Sequence, residues 1–155
     1  MTSQRFEYVG DAVKIYGGLG NDTIWSNNGR NTLFGDAGND RIVGGAGNDV
    51  IVGGIGNDRL HGGGGVDSFC FSGNWGNDTV EQLEGGSVTL WIAGGSTRYW
   101  DEKTLTYSDG VNSINVSGVS NVTLRFAADP ALPDGSFADA ASEMIFEDKS
   151  KGMIA

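Results

Sequence analysis

The chain has 155 residues, a formal net charge of −10 and a sequence pI of about 4.3, which suits one domain and excludes the basic footprint of a nucleic-acid-binding protein. Glycine accounts for 27 residues and proline for only 2, while hydrophobic residues still make up 38% of the chain, so the glycines are expected in ordered structure. No apolar run is long enough to span a bilayer, and the N-terminus lacks the apolar core of a signal peptide.

A nine-residue repeat occupies the first part of the chain. Its clearest form is Gly44-Gly45-Ala46-Gly47-Asn48-Asp49, and seven units of nine fill residues 8–70 without an insertion. The eighth position of the units is always apolar: Ile15, Ile24, Leu33, Ile42, Ile51, Leu60 and Phe69. Apolar residues spaced by nine, with glycines between them, exclude a helix and predict a glycine-rich turn followed by a three-residue strand.

Two such units are predicted to make one circuit of a coil, in which the apolar row points inward from two facing parallel sheets. Because neighbouring strands lie about 4.8 Å apart, each turn residue is expected directly above the residue 18 positions earlier. The stacked turns form two edges, which we call edge A, with Asp22, Asp40 and Asp58, and edge B, with Val13, Asn31, Asp49 and Asp67.

Stacked aspartates repel each other by about 3.5 kcal/mol per neighbouring pair at an effective dielectric constant of 20, unless a cation lies between them. Glycine-rich turns can aim main-chain carbonyl oxygens at such a cation, because no Cβ stands in the way. Carboxylate and carbonyl oxygens select a hard cation, and the loose geometry of main-chain carbonyls favours calcium over magnesium. The spacing therefore predicts several calcium ions along the two edges.

The tandem phrase Gly-Gly-x-Gly-x-Asp-x-apolar-x resembles the repeats-in-toxin (RTX) nonapeptide, whose repeats form a calcium-binding parallel β-helix. Four units match the six-residue turn, and residues 35–40 depart only at Asp36. The candidate ligands are the phased aspartates and the first and third residues of their turns: Asp22, Asp40, Asp49, Asp58, Asp67, Gly17, Leu19, Gly35, Ala37, Gly44, Ala46, Gly53, Ile55, Gly62 and Gly64. Since Asn31 and Val13 replace aspartate, that end of edge B is expected to hold calcium weakly or not at all.

Other polar residues are expected to have structural roles. Asp11, Asp36 and Asp78 lie off the phase of the repeat and are interpreted as turn-capping or surface groups. The lone His61 has no second His or Cys ligand beside it, and Cys70 is expected to be a small buried side chain. With one histidine and no HExxH or phosphate-loop motif, the chain is predicted not to be an enzyme.

Residues 71–126 are predicted to form a β-rich cap over the last turn of the coil. Residues 75–80, Trp-Gly-Asn-Asp-Thr-Val, resemble the junction that follows the last repeat in adenylate cyclase toxins and haemolysins. Residues 88–93 and 121–126 alternate with period two, which predicts half-buried antiparallel strands, and Ser108-Asp109-Gly110 predicts a hairpin turn. The tryptophans either cover an end of the coil or form a platform for a carbohydrate or partner: Trp25, Trp75, Trp91 and Trp100.

Residues 127–155 form a tail in which Pro130 and Pro133 precede apolar residues at helical spacing. The spacing from Phe137 to Ile145 predicts a short helix on the sheet or a frayed tail. The family resemblance implies another interpretation, an uncleaved export signal for the type I secretion channel.

The predicted fold is therefore all-β, a parallel β-roll capped by an antiparallel β region with a short C-terminal helix. The resemblance implies a calcium-binding module of a larger secreted bacterial toxin, enzyme or adhesin, which folds on meeting extracellular calcium. Its expected partners are calcium, the type I secretion apparatus and the N-terminal remainder of the parent protein. The alternative is a ligand- or partner-binding module, in which residues 85–126 contact a glycan or receptor and the calcium is purely structural.

Overall fold

A computed structural model describes residues 5–7, 12–93, 99–127, 140–146 and 153–154. These residues form fourteen strands and contain no α-helix, and no helix among them is long and apolar enough to cross a membrane. In chain order the strands are β1 (Arg5–Glu7), β2 (Lys14–Tyr16), β3 (Thr23–Trp25), β4 (Thr32–Ala37), β5 (Arg41–Gly45), β6 (Val50–Ile55), β7 (Arg59–Gly63), β8 (Val66–Phe71), β9 (Asn77–Ala93), β10 (Trp100–Asp101), β11 (Thr106–Ser108), β12 (Ser113–Ala127), β13 (Ala140–Phe146) and β14 (Met153–Ile154).

The repeat block folds as a parallel β-roll, which confirms the predicted fold class. Odd-numbered strands β1, β3, β5 and β7 pair in sequence along one side, and β2, β4, β6 and β8 pair along the other. Each strand pairs in parallel with the strand one circuit away, so that Ile24 lies beside Ile42 and Leu33 beside Ile51. The circuit is therefore 18 residues, as the spacing predicted.

The apolar row of the repeat forms the core of the roll. Six of its side chains are fully buried, and Ile15 packs against them from the N-terminal side. Burial of an aliphatic or phenylalanine side chain of this kind contributes about 1.5–3 kcal/mol. The buried members of the row are Ile24, Leu33, Ile42, Ile51, Leu60 and Phe69.

Strand β9 closes the roll by pairing with both sides of it. Its first part pairs in parallel with β7, and its last part pairs in parallel with β8. Strand β12 then pairs in parallel with β9. The predicted antiparallel direction is therefore wrong for residues 88–93, which pair in parallel with both β8 and β12, because the chain between β9 and β12 is long enough to return to the same end of the sheet. Residues 121–126 pair in parallel with β9 on one side and antiparallel with β13 on the other.

Antiparallel pairing does occur from β10 onward. Strands β11 and β12 form a hairpin in which Ser108 lies opposite Ser113, and Asp109 Oδ1 accepts the backbone N–H groups of Val111 and Asn112 at 2.9 and 2.8 Å. The predicted turn at Ser108-Asp109-Gly110 is thus confirmed. Trp75 is buried between Phe71 and Tyr107, with ring centroids 5.7 and 6.2 Å away, and so helps to cover the coil.

The predicted C-terminal helix is wrong where the structure describes it. Ala140–Phe146 form strand β13, which pairs antiparallel with β12, and β14 pairs with β13. A helix satisfies its backbone internally, whereas here the free edge of β12 supplies the hydrogen-bond partners. Phe137, Pro130 and Pro133 lie outside the described residues, and the export-signal interpretation stays a prediction.

The three predicted domains, residues 8–70, 71–126 and 127–155, also stay predictions. In the structure β8 runs through residue 70, and β12 runs through residue 126. The roll and the flank therefore share one continuous hydrogen-bonded sheet.

Candidate metal sites on the two edges of the roll

Edge A carries a ladder of buried aspartates. Asp40 Oδ1 accepts the backbone N–H of Asp22 at 2.7 Å, and Asp58 Oδ1 accepts that of Asp40 at 2.7 Å. One rung further, Asp78 Oδ1 accepts the N–H of Asp58 at 2.8 Å. These four aspartates are at most 2% exposed.

The interpretation of Asp78 as a turn-capping or surface group is therefore wrong. Asp78 is fully buried and continues the ladder of edge A. It lies 20 residues after Asp58 instead of 18, so two extra residues at the junction hid it from a strict count of nine. The phrase Gly76-Asn77-Asp78, which repeats the end of the upstream turns, was the signal that could have found it.

Edge B carries a ladder of mixed composition. Asp49 Oδ1 accepts the N–H of Asn31 at 2.8 Å, and Asp67 Oδ1 accepts that of Asp49 at 2.9 Å. At the N-terminal end, Asn31 Oδ1 accepts the N–H of Val13 at 3.1 Å. At the other end, the buried Gln82 donates its side-chain N–H to Asp67 Oδ2 at 2.9 Å.

The first residue of each turn forms a cradle for the second aspartate oxygen. A Cβ on Gly17 would lie 2.8 Å from Asp22 Oδ2 and 2.7 Å from the Gly35 carbonyl oxygen. Such a carbon would fill the space between a carboxylate and a carbonyl oxygen, which explains why glycine is needed here. In every turn that carries a phased aspartate, the Oδ2 atom faces the glycine of its own unit at Gly17, Gly35, Gly44, Gly53 and Gly62.

The start of edge B lacks this cradle. Ser26 takes the place of the first glycine in the unit of Asn31, and its N–H bonds to the Val43 carbonyl in the same way that Gly17 bonds to Phe34. The Cβ of Ser26 therefore occupies the position that glycine leaves open in the other units. Ser26 supplies a second reason, besides the missing charge at Asn31, to expect weak metal binding at this end.

Burial makes the ladder costly when the carboxylates are ionised. Desolvation is the largest cause that raises the pKa of Asp40 to about 6, of Asp49 and Asp58 to about 7, and of Asp78 to about 8. Backbone hydrogen bonds lower these values, and repulsion by a neighbour, such as that of Asp22 on Asp40, raises them by less than burial does. Loss of hydration thus outweighs the repulsion that the spacing predicted.

These atoms fit a hard cation. The Oδ2 atoms of Asp40, Asp49, Asp58 and Asp78 are buried and have no hydrogen-bond partner among the described residues. An anionic oxygen beside a carbonyl oxygen, in a space without a Cβ, is a suitable calcium donor set. Within the described ranges no three His, Cys, Asp or Glu side chains converge on one point, so each site would combine a carboxylate with main-chain oxygens.

The third turn residues lie outside this cradle. Leu19 and Ile55 have exposed side chains, and the carbonyl oxygens of Ala37 and Ile55 accept N–H groups from the preceding circuit at 3.0 and 2.9 Å. Ala46 and Gly64 are exposed as well. The part of these positions in metal binding stays a prediction.

A second ladder, on the outside of edge A, was not predicted from the sequence. It consists of the exposed asparagines at the fifth turn position, in which each Oδ1 accepts the N–H of the next asparagine at 2.8–3.0 Å. The recurrence of Asn before Asp in these turns was the available signal. The members are Asn21, Asn39, Asn57 and Asn77.

Three other residues noted in the sequence are not rungs of the aspartate ladders. Asp36 is exposed near the end of β4, with a φ of 74°, and its Oδ2 accepts the Gly18 N–H at 3.2 Å, which confirms its interpretation as a turn-capping or surface group. Cys70 is 2% exposed, as expected for a buried side chain, and burial raises its pKa. His61 lies half-buried on the outer face of β7, and Asp11 lies outside the described residues.

Comparison with known families supports the same site. The family model of the RTX calcium-binding nonapeptide repeat (4 copies) matches this chain over two overlapping ranges, residues 14–42 and 34–69. The matched residues begin in β2 and end in β8, before Asp78 and Gln82. No curated protein and no solved structure matches the chain.

Proposed function

The chain belongs to the RTX family through the calcium-binding repeats of residues 14–69, and from this premise we propose that it is a calcium-triggered folding module of a larger secreted protein. One observation carries the proposal: aspartate oxygens are buried on both edges without a hydrogen-bond partner among the described residues. A chain that buries such oxygens needs a cation or protons to reach this fold at low cost.

Within each site the two carboxylate oxygens and the glycines have different roles. When bound, calcium supplies the positive charge that the ionised Oδ2 atoms lack. Each Oδ1 holds one circuit to the next by accepting a backbone N–H, as Asp58 does from Asp40. The glycines leave room for the ion and many adopt positive φ, as Gly38 does at 137°. They are costly to order because glycine loses more conformational freedom on folding than any other residue.

The energetics suit a switch between low and high calcium. A site with a dissociation constant of about 0.1 mM stabilises the fold by about 1.4 kcal/mol at about 1 mM calcium, and several sites add several such increments. At submicromolar calcium the same contribution is nearly zero. The acidic, glycine-rich chain would then stay unfolded until it meets the higher concentration.

This behaviour suits export as an unfolded chain. We place the protein outside the cell, with the type I secretion apparatus as the export route and the remainder of a larger toxin, enzyme or adhesin as its covalent neighbour. No catalytic activity is assigned to this chain. The acidic composition and the repeat family support this placement.

Circular dichroism and calorimetry test the proposal directly. In chelator the protein should be largely disordered, and millimolar calcium should restore the β signal cooperatively, whereas magnesium at the same concentration should not. A full β signal in chelator would rule out the switch. A chain that takes up no calcium would rule out the calcium-binding module.

A groove on the outside of the roll favours ligand binding as a second function. It has a volume of about 370 Å³ and lies on the face of β3, β5, β7 and β9, not on residues 85–126 as the alternative hypothesis expected. Arg41 and Arg59 lie side by side there on neighbouring strands, and Trp25 is 36% exposed at one end. Trp91 and Trp100 do not line this groove.

Two guanidinium groups beside an aromatic face suit an acidic sugar, whose carboxylate accepts from arginine while its ring packs on tryptophan. Glu81, which pairs with Arg59 at 3.1 Å, is placed to accept a hydrogen bond from a hydroxyl group of the sugar. In an NMR titration of the calcium-loaded protein, glucuronate should shift the resonances of β3 and β5, and glucose should not. Arg41→Gln should weaken this response, and Arg30→Gln, an exposed arginine elsewhere, should not; equal responses to both sugars would reject the function.

A further inference from the structure

The two edges end differently at their C-terminal rungs, and the significance of this difference rests on the calcium-binding function proposed above. On edge A the residue after Asp58 in the ladder is Asp78. On edge B the residue that meets Asp67 is Gln82. A carboxylate thus closes one edge and an amide closes the other.

Asp78 has the features of the ligands inside the repeats. It is fully buried, its Oδ1 accepts the N–H of Asp58 at 2.8 Å, and its Oδ2 is buried with no hydrogen-bond partner among the described residues. Asp58, one rung below, also has a buried Oδ2 without such a partner. Two such oxygens on consecutive rungs point to a cation site, although the matched repeats end at residue 69.

Gln82 places an amide nitrogen against the second carboxylate oxygen of Asp67. Its Nε2 donates to Asp67 Oδ2 at 2.9 Å and to the Gly63 carbonyl oxygen at 2.6 Å, so it bridges a carboxylate and a main-chain oxygen. Its Oε1 lies 2.5 Å from the position that a Cβ of Gly62 would take, and it is buried with no hydrogen-bond partner among the described residues, so the Gln82→Leu variant below tests whether this oxygen ligates a cation. In the unit of Gly17 the equivalent position faces the carbonyl oxygen of the next circuit, so Oε1 replaces a carbonyl as well.

The surrounding chain leaves room for Gln82. A Cβ on Gly86 would lie 2.8 Å from Gln82 Cγ in the side chain, and a Cβ on Gly118 would overlap the main-chain carbonyl oxygen of Gln82. The register between β12 and β9 shifts between Ser117 and Val119, next to this point. Gln82 is 3% exposed, so its side-chain amide is buried in a space that these glycines leave open.

We propose that Asp78 binds calcium at a site beyond the matched repeats, and that Gln82 takes the place of a cation at the last rung of edge B. Edge A then closes with metal, and edge B closes without it. Edge A therefore contains one more calcium site than the aspartates of the matched repeats imply, and the last rung of edge B adds none.

Calorimetric ion counts test both parts. Asp78→Asn, which keeps an acceptor for the Asp58 N–H, should lower the count by about one ion, and Gln82→Glu should raise it by about one. Asp36→Asn and Asn115→Asp, which alter exposed groups, are the matched controls and should leave the count unchanged.

The outcomes separate the roles of Asp78 and Gln82 from the proposed function. If the unchanged protein binds no calcium, the proposed function fails. If it binds calcium while Asp78→Asn and Gln82→Glu both keep its count, only the roles of Asp78 and Gln82 fail. If Gln82→Leu binds one ion fewer than the unchanged protein, the side-chain Oε1 of Gln82 ligates calcium. That result would overturn the proposal that Gln82 takes the place of a cation.

A measurement on the unchanged protein remains informative if a variant does not fold. As calcium is withdrawn, the backbone N–H of Asp58, held by Asp78, should lose protection from hydrogen exchange before that of Asp49, held by Asp67. The reverse order would contradict the proposal.

Discussion

Edge A carries a carboxylate on each described rung of its ladder, whereas edge B carries two carboxylates between two amides. The side chains are Asp22, Asp40, Asp58 and Asp78 on edge A, and Asn31, Asp49, Asp67 and Gln82 on edge B. Asn31 Oδ1 accepts the N–H of the previous circuit just as Asp40 Oδ1 does. One acceptor oxygen therefore suffices to build the ladder, and the second carboxylate oxygen creates the need for a cation.

The largest effect should come from filling a cradle on edge A. A Cβ on Gly35 would overlap Asp40 Oδ2 and approach the Gly53 carbonyl oxygen, so Gly35→Ala should destabilise the calcium-bound fold by about 3 kcal/mol. Urea unfolding in millimolar calcium measures this. Gly64→Ala is the control, since its nearest neighbour lies at 4.0 Å. Equal losses in the two variants would show that the cradle is not a tight space.

The second-largest effect should be a difference in calcium midpoint between variants that remove one charge from edge A and variants that remove one from edge B. Asp40→Asn removes an ionised ligand from the middle of edge A, and should raise the calcium midpoint by about tenfold. Asp67→Asn should raise it by only about twofold to threefold, because Asp67 Oδ2 already has Gln82 as a partner. Calcium titrations followed by circular dichroism compare the two. Identical midpoints would contradict the different closure of the edges.

Acid should substitute for calcium in part. The folded-state pKa values of Asp40, Asp49 and Asp58 are raised to about 6–7, so protonation of these groups favours the fold. Their stabilisation is fully present below the unfolded pKa of about 3.9 and is lost as pH rises through about 6–7. In chelator the β signal should therefore be larger at pH 5 than at pH 8. A β signal that does not change between these pH values would count against raised pKa values of the buried carboxyl groups.

That acid response should depend more on edge A, which carries Asp58 and Asp78 in addition to Asp40. Asp58→Asn should reduce the difference between pH 5 and pH 8, because the amide cannot ionise. Asp36→Asn, at an exposed side chain of β4, should leave the difference unchanged.

The smallest effect concerns the start of edge B. Asn31→Asp alone should leave the number of bound ions unchanged, because the Cβ of Ser26 still fills the cradle. Combined with Ser26→Gly it should add about one ion and lower the calcium midpoint by about twofold. Calorimetry on both variants and on Ser26→Gly alone decides this. If Asn31→Asp alone binds an additional ion, calcium binding at this rung requires the carboxylate charge but not the open space that a glycine leaves.

The sequence by itself determined the roll and most of the two ladders. A period of nine with an apolar residue at one phase permits only short strands joined by glycine-rich turns, and two units per circuit place Asp40 above Asp22. These are local constraints, repeated many times in the same chain, so any one unit predicts its neighbours. The calcium-binding character followed from residue type, since oxygen donors and glycine are what a hard cation requires.

Only the tertiary structure decided how the roll is closed. The direction of β12 depends on where the chain returns after β9, and β13 is a strand because the edge of β12 offers backbone partners. Asp78 and Gln82 lie outside the regular spacing, and their roles appear only when β9 places them against Asp58 and Asp67. Such contacts depend on the meeting of distant segments, for which a repeating pattern holds no information.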